Sequence, residues 1–181
     1  MSYVRVDDLD SAVEKARGHE GVIIEVEPQA FDENARVALV RDPSGAGFTL
    51  YEGPEIGQVG AGASQVGRVI GRYHHVPELG LIEGFYRDMF GWSFRRVAET
   101  PWPVFEVVHP DGSLVAHIEE VPEEIRDKFR YWMPCFGVAD MAVFVAQLER
   151  RGGAVLNDLG DGRLLVADRQ GASFMARRVG D

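Results

Sequence analysis

The chain has 181 residues, 45% of them hydrophobic, and a formal net charge of −10 at pH 7. This length and apolar content suffice for one domain or two small ones with a buried core. The negative charge disfavours nucleic acid and anionic lipid as partners, because both would be repelled. No run approaches the roughly 20 apolar residues that cross a bilayer, and no N-terminal signal pattern is present.

Cysteine usage is minimal. Cys135 stands alone, which excludes an internal disulfide framework and a thiolate metal cluster. We therefore expect a cytoplasmic protein that binds neither nucleic acid nor membrane.

The chain contains an internal repeat. Residues 6–13 align with residues 138–145 without gaps, and residues 42–48 align with residues 168–174 after a longer loop in the first copy. Turn residues fall on turn residues in the same order. This pattern indicates a repeated structural module.

The sequence pattern of each copy predicts a strand, then a helix, then three further strands. In the last copy a strand over 131–138 is followed by Asp140, which can cap a helix ending at Gly152-Gly153. The apolar residues of that helix recur at spacings of three and four: Met141, Phe144, Val145 and Leu148. Strands are predicted over 154–156, 163–168 and 172–179.

A middle copy has the same order. It predicts a strand over 69–76, a helix over 79–90 and strands over 93–97, 104–109 and 113–119, the last two joined by the turn Pro110-Asp111-Gly112. Residues 121–129 predict a short helical connector. The predicted domains are a single module over 1–53, a Gly-rich linker over 54–66, and a complete domain over 67–181 made of modules 67–120 and 130–179.

Two groups of residues carry a family resemblance. These are FYRDMFGW at 85–92, and GVAD at 137–140 with Gly152-Gly153 and the 168–171 turn. They resemble the vicinal-oxygen-chelate (VOC) superfamily of glyoxalase, bleomycin-resistance and dioxygenase proteins. The segment 90–92 is more similar to two-domain, glyoxalase-like actinobacterial proteins than to glyoxalase I itself. The resemblance implies an α+β fold in which βαβββ modules form curled mixed sheets around a cleft.

The first copy resembles the last one, so it looks like the second half of a domain. We expect residues 1–53 to pair with their counterpart in a second chain, giving a homodimer. Their eleven acidic and five basic residues count against this pairing, although salt screens exposed charge. The alternative is that the first module docks on the rest of its own chain.

The resemblance implies that metal-using members take four ligands from the first and last strands of two modules. The positions that match here are Gly71, Met133 and Met175, with Met1 and Thr49 in the first copy. None of these binds a hard or borderline divalent ion well. We therefore expect no metal at the usual site.

Strand alternation leaves another metal set open. It places Tyr73 and His75 on the cleft face and His74 on the helix face, while His117 and Glu119 also face the cleft. His75, His117 and Glu119 would then converge and could hold iron or zinc. The alternative is that they are polar wall residues.

Cys135 and several aromatic side chains are the remaining residues to consider. Cys135 would be a nucleophile if a histidine lowered its pKa, or otherwise an inert small hydrophobe. Trp102 lies in a stiff loop suited to overhang the cleft, whereas Trp92 and Phe105 are candidate core residues and Trp132 is expected on the helix side.

The sequence favours binding of a small, partly apolar and possibly cationic organic molecule without a metal, as in resistance-type members of the superfamily. Glu119 is the expected anchor for a cationic group. The alternative is a lyase, isomerase or dioxygenase that uses a non-standard divalent metal site or acid–base work by His75 and Glu119. A regulatory or assembly module would fit a cleft filled by its own methionines. The predicted wall comprises Tyr73, His75, Phe105, His117, Glu119, Met133, Cys135 and Met175.

Overall fold

The computed structural model describes residues 2–55, 65–99, 101–126 and 129–180. Most of the predicted linker, residues 56–64, lies outside the described residues. The chain divides into two compact units. The first unit comprises residues 1–58 and 74–132, and the second comprises residues 59–73 and 133–181.

Three βαβββ copies follow one another along the chain, which confirms the predicted α+β class. The first consists of β1 (Tyr3–Arg5), α1 (Leu9–Arg17), β2 (Ile23–Ala30), β3 (Arg36–Arg41) and β4 (Gly47–Glu52). The second consists of β5 (Val69–Val76), α2 (Gly80–Phe90), β6 (Ser93–Ala98), β7 (Val104–Val108) and β8 (Leu114–Glu120). After the connector helix α3 (Glu123–Arg126), the third consists of β9 (Met133–Val138), α4 (Met141–Arg150), β10 (Ala154–Asp158), β11 (Arg163–Ala167) and β12 (Ser173–Arg178).

The strands form two mixed sheets, which are described by unit. The first unit contains a sheet of order β1-β4-β3-β2 and the strands β5-β8-β7-β6. The second unit contains β10-β11-β12-β9 and the first half of β5. The first and last strands of a copy run parallel, as β1 does with β4 and β9 with β12.

The repeat seen in the sequence is also a repeat of local geometry. The side chain of Asp8 accepts a hydrogen bond from Ser11 N at 2.9 Å, and that of Asp140 accepts one from Val143 N at 2.8 Å. Each aspartate thereby caps the helix of its copy. In each copy a later aspartate, Asp42 or Asp168, accepts two backbone N–H bonds within the turn before the last strand.

The core of the first unit is shared by the first and middle copies. Helices α1 and α2 contact each other, and their apolar faces are buried in one cluster with the strands behind them. The helices contribute Leu9, Val13, Ala16, Ile82, Phe85 and Tyr86 to this cluster. The first copy therefore packs on the middle copy of its own chain, while the predicted homodimer stays a prediction.

The second unit packs its helix side with aromatic rings. Phe174 makes edge contacts with Phe136 at 5.5 Å and with Phe144 at 6.5 Å between ring centroids. No residue of α4, all of which are described, is fully buried. Across the described ranges we find no helix with the length and apolarity to cross a membrane.

Neighbouring residues of α2 test whether this helix is a wall of the shared core. Ile82 is 0% exposed and Leu81 is 46% exposed. Ile82→Ala should lower the free energy of unfolding by about 2–5 kcal/mol, because a buried cavity is created. Leu81→Ala should change it by less than about 0.5 kcal/mol. Urea unfolding measures both, and equal effects would contradict this placement of α2.

Candidate functional site

The eight predicted wall residues divide evenly between the two units. His75, Phe105, His117 and Glu119 belong to the first unit, and Tyr73, Met133, Cys135 and Met175 belong to the second. The two groups are described separately.

In the first unit, His75 and Glu119 form a buried pair. His75 Nε2 lies 3.1 Å from Glu119 Oε2, and the two residues are 7% and 5% exposed. The ring of Phe129 packs edge-on against His75 at 6.3 Å. Because carboxylate oxygens only accept, Nε2 carries a proton in this contact.

Strand alternation explains which β8 and β7 residues accompany this pair. Ala116 and Ile118 enter the shared core, so His117 and Glu119 point to the other face of β8. Phe105 is in register with Ile118 and packs against the core. It therefore lies on the helix side, away from the face that carries His117 and Glu119. This corrects the expectation that Phe105 is a wall residue.

His74, one residue before His75, is fixed in the core by a polar cluster. Its Nε2 lies 3.0 Å from Asp42 Oδ2 and 3.1 Å from Ser44 Oγ. Tyr86 Oη donates to the same Asp42 oxygen at 2.8 Å, and Trp132 Nε1 donates to Tyr86 Oη at 3.0 Å. His74 and Asp42 are both 0% exposed. We call these five residues the Asp42 cluster.

The charges in this cluster follow from its hydrogen bonds. Burial alone would raise the pKa of Asp42, but hydrogen bonds from His74, Ser44 and Tyr86 outweigh it and hold that pKa below its usual value. Burial, together with the adjacent carboxylate of Asp42, raises the pKa of Tyr86 well above its ordinary value. Asp42 is thus an anion and Tyr86 a neutral donor.

Ser44, His74 and Asp42 are the residue types of a nucleophilic triad, but their geometry does not serve catalysis. The serine and the carboxylate both contact Nε2, whereas a triad histidine uses one nitrogen for each. His74 Nδ1 is buried and has no hydrogen-bond partner among the described residues. The cluster therefore joins the first copy to β5 and α2 and positions His75 next to it.

A buried arginine supports the same segment. Arg126 is 3% exposed, donates from Nε to the His75 carbonyl at 3.3 Å, and bonds the Ser44 carbonyl. Its Nη1 pairs with Glu123 at 2.9 Å. The sequence indicated only a helical connector here, and no local signal showed that Arg126 is buried.

In the second unit, the predicted wall residues form one strip across three strands. Tyr73 is in register with Met133 on β9, and Cys135 is in register with both Gly71 and Met175. Met133, Cys135 and Met175 are each at most 1% exposed. Burial raises the pKa of Cys135 to about 11, so this residue is a thiol and not a nucleophilic thiolate at neutral pH.

Arg163 joins this strip and was not predicted. Its guanidinium lies 4.2 Å from the Tyr73 ring centroid, and Nη1 contacts Met175 Sδ at 3.6 Å. Nε donates to Asp161 at 2.7 Å. Strand alternation places Arg163 on the same face as Leu165, but the pairing of Leu165 with Met175 follows only from the register between β11 and β12.

Gly71 and Met175, two of the positions that match the expected metal ligands, do not suit a metal ion. A Cβ at Gly71 would lie 3.2 Å from the Tyr73 ring, so the tyrosine occupies the space of a longer side chain there. The Arg163 cation at the Met175 sulfur would repel a divalent ion. Within the described ranges, no three His, Cys, Asp or Glu side chains are grouped to hold a metal, and this includes His75, His117 and Glu119.

Trp92 and Trp132 lie in the core, while the overhang expected of Trp102 stays a prediction. Trp92 and Trp132 are 6% and 9% exposed and belong to the shared core. Trp102 is partly buried in the segment before β7.

The fold is similar to that of several solved structures. Glyoxalase I from Zea mays matches with a TM-score of 0.55 and 15% identity over 98% of this chain and 65% of that chain. The chain has the VOC fold. Catechol 2,3-dioxygenase matches with a TM-score of 0.55 and 12% identity, and a mutant 4-hydroxymandelate synthase from Streptomyces coelicolor with 0.53 and 14%. Each covers 98% of this chain, and this chain covers 68% and 70% of theirs.

The chain thus spans about two thirds of the length of these proteins. No family model and no curated protein matches the sequence. The likeness shows the fold and leaves the reaction open.

Replacing Asp42 tests the buried cluster. Asp42→Asn should lower the free energy of unfolding by about 3–5 kcal/mol at pH 7, because an amide has one accepting oxygen and cannot replace both Oδ1, which accepts from the turn, and Oδ2, which accepts from His74 and Tyr86. The pKa of Asp42 is lower in the folded chain, so its contribution is present above the unfolded pKa of about 4 and is lost as pH falls through the folded value.

Urea unfolding of both proteins between pH 7 and pH 3 measures this dependence. The difference in free energy of unfolding between the unsubstituted chain and Asp42→Asn should be smaller at pH 3 than at pH 7. Asp7→Asn, at an exposed position, is the control and should leave stability unchanged. A difference that stays constant with pH would contradict the assigned charge of Asp42.

Proposed function

We propose that this chain is a metal-independent small-molecule-binding protein of the VOC superfamily, related in mode of action to its resistance-type members. The observation that carries the proposal is the contact between Arg163 and Met175. A guanidinium and a thioether meet at a position where metal-using members supply a metal donor, so the positive charge there belongs to the protein itself.

The chemistry of the strip supports binding of a partly apolar molecule. Met133 and Met175 are unbranched thioethers that adapt to irregular apolar shapes, and Tyr73 adds a flat ring. Cys135 adds a small apolar side chain because its thiol stays protonated. Arg163 Nε donates a hydrogen bond to the carboxylate of Asp161. The negative charge of Asp161 offsets the positive charge of Arg163, so a neutral or cationic ligand meets no uncompensated positive charge.

Glu119 supports the preference for a cationic group. Its side chain is 5% exposed and accepts a hydrogen bond from His75. Attraction between a carboxylate and a cation is stronger in such a low-dielectric environment than in water. We propose Glu119 as the anchor.

Metal analysis and thermal shift together test this function. Protein purified without chelator should carry clearly substoichiometric zinc, iron, nickel and manganese, and EDTA should leave its Tm unchanged. Cationic antibiotics, bleomycin among them, should include a compound that raises Tm, because binding to the native state stabilises it. Glu119→Gln should reduce that shift, and exposed Glu124→Gln should preserve it. A stoichiometric metal whose removal lowers Tm would overturn the proposal.

A second candidate function is proton transfer by His75 and Glu119, and their 3.1 Å contact favours it. A histidine that donates Nε2–H to a carboxylate presents Nδ1 as a base, which can accept a proton from a substrate carbon and return it to a neighbouring atom. Isomerases and lyases of this superfamily would use such a step.

Turnover of methylglyoxal with glutathione tests this candidate in metal-free protein. Glu119→Gln should lower kcat/KM by about 10²-fold or more while the Tm changes little, with Glu124→Gln as control. Absence of turnover in the unsubstituted chain would contradict it and leave the binding function untouched.

A further inference from the structure

A depression of about 700 Å³ lies on the second unit, beside the end of α4 and the turn between β11 and β12. Its volume falls within the range of small-molecule sites. Its lining combines apolar and cationic side chains, among them Phe144, Leu148, Arg150, Arg151, Arg169 and Gln170. None of these residues belongs to the strip described above.

The arginines of this depression differ from most arginines elsewhere in the chain. Arg17 and Arg41, for example, pair with Glu27 and Glu25 at 3.0 and 2.7 Å. Among the residues that the structure describes, Arg150, Arg151 and Arg169 have no carboxylate within ion-pair distance.

Among the described residues that line the depression, Asp168 is the only carboxylate, and its side chain is hydrogen-bonded within its own turn. Asp168 Oδ1 accepts from Gln170 N at 2.8 Å and Ala172 N at 2.9 Å. Three like charges thus gather around one hollow, in a chain of net charge −10. Their mutual repulsion is relieved when an anion binds between them.

The end of α4 does not require these cations. Gly152 N donates to the Glu149 carbonyl at 2.9 Å, and Gly153 N donates to the Leu148 carbonyl at 3.0 Å. The backbone therefore satisfies the last helix carbonyls, which basic side chains bond in other helices.

The frame that holds the arginines is tightly packed. A Cβ at Gly153 would lie 2.5 Å from Leu148 Cδ1 and 2.6 Å from the Ala167 carbonyl oxygen. Only glycine allows the end of α4 to approach β11 this closely. The spacing between the helix end and the Arg169 turn is consequently fixed by the backbone.

We propose that this depression binds an organic anion that carries phosphoryl or carboxylate oxygens on an apolar body. Guanidinium groups bond such oxygens in pairs, while Phe144 and Leu148 offer apolar surface to the rest of the molecule. The inference goes beyond the proposed function and uses none of its residues.

Titration with 2-naphthyl phosphate tests the site in the full-length chain. We expect saturable binding that weakens as ionic strength rises, with weaker binding of 2-naphthol and of inorganic phosphate alone. Arg151→Gln/Arg169→Gln should weaken binding by about tenfold or more. Gln147→Glu, which places a carboxylate on the lining, should weaken it as well.

Arg17→Gln/Arg87→Gln is the charge-matched control, because both arginines are exposed and lie in the first unit. It should bind 2-naphthyl phosphate like the unsubstituted chain. Equal loss in the control, or no saturable binding, would overturn the proposal. It would also be overturned if the arginine substitutions abolished a salt-sensitive self-association instead, since the surface would then contact a second copy.

Discussion

The Asp42 carboxylate is the interaction on which the first unit depends. It is fully buried, keeps its negative charge, and receives hydrogen bonds from its own turn, from His74 on β5 and from Tyr86 on α2. Among the described residues, the corresponding Asp168 of the third copy makes only the turn contacts. In the first copy, Asp42 therefore both stabilises its own turn and joins the first module to the second.

This junction also decides what the other face of β5 presents. Side chains alternate along a strand, so holding His74 in the core directs His75 away from it, toward Glu119. A shift of one residue would exchange the two histidines and dissolve the His75–Glu119 pair. The stability of the module junction and the chemistry of the candidate site are thus set by a single strand register.

Local sequence signals predicted the fold well because they act over short distances. The helix cap at Asp140 was predicted, and so was the alternation that places His117 and Glu119 on one face of β8. Contacts between distant segments were harder to predict. Asp42 Oδ2 contacts His74, which lies 32 residues later in the sequence. The residues around either position contain no pattern that predicts this contact.

The candidate site also combines features that local sequence predicts with features that depend on contacts between distant segments. The apolar strip of Met133, Cys135 and Met175 followed from counting along strands, whereas the role of Arg163 required the register between β11 and β12. Phe105 was misplaced because alternation gives two faces for β7 and only packing against Ile118 selects one.

The protonation of the His74 ring at pH 7, observed by long-range proton–nitrogen NMR, tests the register of β5 most directly. We predict that Nε2 carries a proton that exchanges slowly with water, because Nε2 faces the buried Asp42 carboxylate. An Nδ1–H tautomer, or a ring proton in rapid exchange, would contradict the β5 register on which the candidate site rests.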